Sequence, residues 1–246
     1  MCAQVVDPDG DVILELESPN DLFASECGST APDGSRSAGP TSTALDKIDS
    51  PDAAAELGEN GASIPVTFTF RVSSRHLALA SPVFKSALTG GWKESTKIEG
   101  GLRTIKTQGW DATALGIFLN AIHGQCKKVP RTLTLEMLAK IAVIIDYYAA
   151  HETMEILSTV WIGNLRGQLT TLRDRRTTAL WIFISWVFGD SPSFKGATTA
   201  AVLEHCTNMT DFGLPIPGQI IGKDRMQTAA RLMAMKRLAD DIWFPE

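Results

Sequence analysis

The sequence is poor in the groups that most active-site chemistry needs. Its four cysteines, Cys2, Cys27, Cys126 and Cys206, lie far apart and form no C-x-x-C pair. That spacing argues against a zinc site or a disulfide framework and fits reduced thiols. Histidine is scarce too, at positions 76, 123, 151 and 205. His151-Glu152 opens like the helical metal motif H-E-x-x-H, but Glu155 stands where the second histidine belongs, so the pair reads as a helix start. Neither G-x-G-x-x-G nor G-x-x-x-x-G-K-[ST] occurs, which removes the glycine loops that cradle phosphates, and no G-x-S-x-G elbow is present. Cys206 follows His205 directly, yet neighbours on a helix point in different directions, and a small core residue is the better reading. No catalytic residue, metal or cofactor is expected.

Long apolar runs are missing as well. The longest, ALWIFISWVF at 179–188, falls well short of the roughly 20 residues that cross a hydrocarbon core, so it reads as a buried helix. The start, Met1-Cys2-Ala3-Gln4 followed by Asp7, Asp9 and Asp11, lacks the basic and apolar segments of a secretion signal. A cytoplasmic or nuclear location is the expectation. The net charge of −5 hides an asymmetry: residues 1–17 hold five acids and no base, and residues 18–62 hold eight acids against Arg36 and Lys47. The remainder is mildly basic, without the Lys/Arg stripe and interleaved aromatics of a nucleic-acid surface. Its densest basic cluster, Arg173-Asp174-Arg175-Arg176, reads as a solvated helix start. Contact with nucleic acid is not expected.

What is present is a packable core, with 44% apolar residues. Residues 1–10 read as a tail. Behind the turn signal Pro8-Asp9-Gly10, residues 11–16 (DVILEL) form a short apolar run that reads as a strand. Residues 18–62 are rich in Ser, Gly, Pro, Ala and Asp with one aromatic, Phe23, and cannot bury enough surface to offset the entropy of ordering. They read as a disordered acidic insert. The alternating PVTFTFRV at 65–72 is the next strand, and because loop-closure cost grows only logarithmically with length, it is expected to pair with 11–16 across the insert. Ser18-Pro19 and Ser50-Pro51 put candidate phosphorylation sites, Ser18 and Ser50, in or at the edge of that insert.

Downstream, Ser73 and Ser74 stand where helix N-caps belong, Pro82 can open a short helix over 83–88, and 102–107 reads as a third strand. Asp111 and Thr134 are placed to cap two amphipathic helices, and a further helix follows from His151 to about residue 166. Helices are also expected at 172–188, 196–209 and 224–243, with Leu214-Pro215-Ile216-Pro217-Gly218 as a rigid connector.

The stretch FRVSSRHLALASPVF at 70–84 resembles the signature of the BTB/POZ family, in which a strand enters a helix ending in Leu-Ala-x-x-Ser-x-x-Phe. Asp11-Val12-Ile13-Leu14 is similar to that family's first strand, and Gly90-Gly91-Trp92-Lys93-Glu94-Ser95 to the loop after its second helix. The Leu214-Pro215-Ile216-Pro217 segment before a charged helix is similar to the tail of BTB proteins from filamentous fungi. The resemblance implies an α+β core over residues 11–166, with a small sheet of about three strands capped by helices, and a helical C-terminal extension over 167–246. It also implies a non-enzymatic adaptor for protein partners, including the cullin scaffold of ubiquitin ligases. The hydrophobic-x-Glu motif of cullin-binding members matches Trp92-Lys93-Glu94, where an exposed aromatic would fill a groove and the carboxylate would set register. The plainer reading has Trp92 covering the core and Glu94 as a solvated loop charge. An autonomous homodimerising scaffold without a ligase link is the alternative function.

Overall fold

Alternation of apolar residues builds the sheet. In β2 (Val12–Glu17) the side chains of Val12, Leu14 and Leu16 are buried while the residues between them are partly exposed, the two-residue period of a half-buried strand. The computed structural model describes residues 2–19, 67–89, 101–171, 174–204 and 212–217. All of them belong to one of the two units into which the chain divides; the other, Ser25–Pro65, lies outside the described residues. The expected insert from residue 20 onward, and the expected helix at 224–243, lie outside them too.

β2 pairs antiparallel with β3 (Phe68–Val72), from Val12 opposite Val72 to Leu16 opposite Phe68. The pairing expected across the long connection is therefore formed. β4 (Arg103–Gln108) runs parallel to β2 on its other side. The sheet is nevertheless one strand larger than the three expected. Residues 1–10, read as a tail, contain β1 (Cys2–Val5), which pairs in parallel with β3 and gives the order β1-β3-β2-β4. The tail reading failed because four residues with a single β-branched side chain carry no periodic signal; the open edge of β3 supplies the hydrogen bonds instead.

The turn into β2 depends on Gly10. A Cβ there would stand 2.6 Å from the Val72 carbonyl oxygen, and the Gly10 carbonyl accepts a hydrogen bond from Arg71 Nε at 2.9 Å. Only glycine allows backbone to approach backbone this closely.

β3 leads into α1 (Ser74–Ala80) and α2 (Pro82–Thr89). Ser73 occupies the N-cap position of α1, but its side chain makes no capping bond. The cap comes from across the sheet: the Asp11 carboxylate accepts from Ser74 N–H and from Ser74 Oγ, each at 2.8 Å. Burial pushes the Asp11 carboxyl up, and these bonds, helped by the charge of Arg103, outweigh it, leaving the carboxyl below its ordinary value. The Ser73 N–H donates instead to His123 Nε2 at 3.0 Å.

α3 (Ala112–Ile122) begins at Asp111, whose side chain accepts from Thr113 and Ala114 N–H as expected, and α4 (Leu135–Tyr148) begins at Thr134, which accepts from Met137 N–H. Asp111 also meets Lys140 Nζ at 2.7 Å and so ties the start of α3 to α4. α5 (His151–Leu165) follows, then a 3-10 turn (Arg166–Thr171). The expected helix at 172–188 is α6 (Arg175–Val187), capped by Asp174, so Asp174, Arg175 and Arg176 of the basic cluster form a helix start, while Arg173 lies outside the described residues. α6 carries the apolar run into the core, with Trp181, Ile182 and Ile184 fully buried. α7 (Ser191–Glu204) begins five residues earlier than the expected 196, because Gly189 and Asp190 break the chain there; the Asp190 carboxylate accepts from Ser193 N–H. Among the described residues the chain is a small four-stranded sheet with seven α-helices, as the α+β class requires. No helix of these residues is long and apolar enough to cross a membrane.

Candidate functional site

Helices α2 and α4 and the end of strand β4 line a cleft with a volume of about 810 Å³. α2 contributes Val83, Phe84 and Ala87, and α4 contributes Val143, Asp146 and the pair Tyr147-Tyr148 from its last turn. β4 and Trp110 form a third wall, and the Gly213-Leu214-Pro215 segment a fourth. The volume lies within the range of about 300–1,000 Å³ typical of binding clefts.

The walls are fixed by a small polar network. Ser81 Oγ donates to the Tyr148 carbonyl and accepts from Phe84 N–H at 3.1 Å, so one buried hydroxyl caps α2 and clamps it to the end of α4. α4 stops there because Ala149 takes the left-handed conformation at φ 50°, with its N–H returned to the carbonyls of the last turn. Trp110 Nε1 donates to Thr107 Oγ1 at 2.6 Å, and the same hydroxyl shares a hydrogen bond with Tyr148 Oη at 3.1 Å. Burial raises the Tyr148 phenol above its ordinary pKa; the bonds to Thr107 and Trp110 oppose the rise without cancelling it.

Around that network the rings are layered. Phe84 stacks on Tyr148 at 4.1 Å with 12° between planes, and Tyr147 meets both Trp110, at 5.1 Å, and Tyr148, at 5.0 Å, edge to face. These separations are those of favourable aromatic pairs. Three of the four rings are buried, whereas Tyr147 is 60% exposed and faces outward. The rim is charged: Lys106 Nζ lies 2.7 Å from Glu17 Oε1, and the hydrogen bond to Glu17 raises the Lys106 pKa. Asp146 is the second rim acid, with its Oδ1 3.7 Å from His151 Nε2. No protein-family model matches the chain, and no curated protein matches it.

The expected site residues are not in this cleft's described walls. Trp92, Glu94 and Ser50 lie outside the described residues. Ser18 is described: it is exposed, with φ 49°, one residue beyond β2. Among the described residues no group of three or more His, Cys, Asp or Glu side chains converges as a metal site, and His151 opens α5. The local sequence pattern does not single out Trp110, Tyr147 or Tyr148. One signal was available: the chain has only two tyrosines, and they are adjacent at a helix end. An i,i+1 pair cannot share one helix face, so burial of Tyr148 turns Tyr147 toward a different surface.

Proposed function

We propose that this chain is a non-enzymatic protein–protein interaction adaptor with a BTB/POZ-like core, and that the aromatic cleft is one of its contact surfaces. The observation that carries this reading is the exposed Tyr147 ring held edge-on between Trp110 and Tyr148. Tyrosine and tryptophan dominate the energetics of protein interfaces because they bring large contact area at little conformational cost. Here the buried network fixes the ring's neighbours before any partner arrives, which lowers the ordering cost of binding. The signature at 70–84 supports the same reading, since family members work through protein contacts. In the ligase branch of the proposal, Trp92 and Glu94 dock to a cullin scaffold.

Affinity capture from native cells with mass spectrometry tests the adaptor role. Wild-type protein is expected to retain a reproducible set of partners, part of which a Tyr147→Ala variant loses. Absence of any reproducible partner refutes the adaptor reading. Calorimetric titration with cullin N-terminal helices tests the ligase branch: binding by the wild type and loss in a Trp92→Ala, Glu94→Ala double variant is expected. Equal binding by both removes the two residues from the account, and no binding by either refutes the ligase branch.

A further inference from the structure

β4 is one of the two edge strands of the sheet, and among the described residues nothing pairs with its far edge. The hydrogen bonds to β2 show which of its backbone groups face that edge. Arg103 N–H donates to the Asp11 carbonyl at 2.9 Å and Gly109 N–H to the Glu17 carbonyl at 3.2 Å. In a parallel pair, alternate residues direct both N–H and C=O to the same neighbour. The odd-numbered residues of β4 therefore serve β2, and Thr104, Lys106 and Gln108 direct theirs outward. The cleft is lined by the consecutive residues Ile105, Lys106, Thr107 and Gln108. Side chains alternate between the two faces of a strand, so a cavity touching four in succession lies along its edge.

We propose that this edge accepts an extended peptide segment of a protein partner, which adds to the sheet as a further strand beside β4. The inference rests on the adaptor reading and names the chemistry of the partner at the same cleft. Backbone pairing with Lys106 and Gln108 gives register, and every second side chain of the incoming strand meets the aromatic wall of Trp110, Tyr147 and Tyr148. Those positions are apolar; the alternate ones are polar because they face water. The rim sets Glu17 and Asp146 against Lys106, an excess of one negative charge, so the segment carries a basic residue at its flank.

The test uses the full chain and a synthetic probe, acetyl-Lys-Val-Thr-Val-Thr-Val-amide, titrated calorimetrically. Gln108→Pro deletes one outward N–H and no bond to β2, while Gln108→Ala removes the same side chain and keeps the N–H. The wild type and Gln108→Ala are expected to bind the probe alike, and Gln108→Pro about tenfold more weakly. A probe N-methylated at alternate residues, titrated against the unmodified protein, checks the same point without altering the fold; it is expected to lose binding in one of its two methylation registers. Undiminished affinity for Gln108→Pro, or for both methylated probes, overturns strand addition, as does the absence of saturable binding to the wild type. The adaptor reading fails separately: partners captured from cells equally by the wild type and Gln108→Pro would leave it standing while strand addition falls.

Discussion

Replacing Ser81 by alanine is expected to be among the most destabilising single-atom changes in this chain. Its hydroxyl is completely buried and serves two elements at once, accepting from Phe84 N–H and donating to the Tyr148 carbonyl. Losing the cap of α2 costs about 1 kcal/mol, within a range of roughly 0.5–2. Leaving the Tyr148 carbonyl without its donor adds about 1–3 kcal/mol, because water cannot enter to replace it. The two losses occur together, for a total of about 2–4 kcal/mol, a large part of the roughly 5–15 kcal/mol that holds a typical domain folded. Urea denaturation reads the effect. With a slope near 2 kcal/mol/M the midpoint should fall by about 1–2 M at unchanged slope. Ser86→Ala, an exposed serine on the same helix, is the comparison and should stay within about 0.5 kcal/mol of the wild type. A Ser81→Ala midpoint within about 0.3 M of the wild type would refute the clamp between α2 and α4.

Two further predictions concern the turn and the histidine that hold the sheet to the helices. Gly10→Ala forces a Cβ to within 2.6–2.9 Å of the Val72 backbone, and a loss of about 1–3 kcal/mol in thermal or chemical denaturation is expected. His123 is the pH-sensitive contact: Nε2 accepts from Ser73 N–H, so the proton sits on Nδ1, which donates to the Leu119 carbonyl at 2.8 Å. Burial is the main cause that holds its pKa below the ordinary value; the Leu119 bond opposes it, the stacked His76 adds to it, and the charge of Asp7 works against it. The unfolded chain therefore takes up a proton at this residue near pH 6.5 while the folded chain resists it, so the His123 contribution is complete above about pH 6.5 and is lost progressively as pH falls below it. Denaturation midpoints measured between pH 7.5 and 5 should fall more steeply for the wild type than for His123→Gln; parallel curves would count against this assignment.

Much of the architecture follows from local pattern alone. The period-two burial of Val12, Leu14 and Leu16, the caps at Asp111, Thr134 and Asp174, and the apolar run of α6 all come from side chains interacting within a few residues of one another, where periodicity and capping chemistry act. The pairing of β2 with β3 was also legible, because hydrophobic alternation selects a register and a long connection adds little closure cost. Tertiary structure decided the rest. β1 is a strand only because β3 offers it an edge, and α1 is capped by Asp11, the residue just before β2, through a contact that no local motif announces. The aromatic cleft belongs to the same class: Phe84, Trp110 and Tyr147 lie apart in sequence and meet only when Ser81 clamps α2 to the end of α4. Apart from β1, sequence by itself determined which of the described segments are helix and which are strand, since those choices are set by short-range sterics and burial. Where the surface opens, which ring it exposes and which strand edge it leaves unpaired are properties of how those segments pack, and only the folded chain holds them.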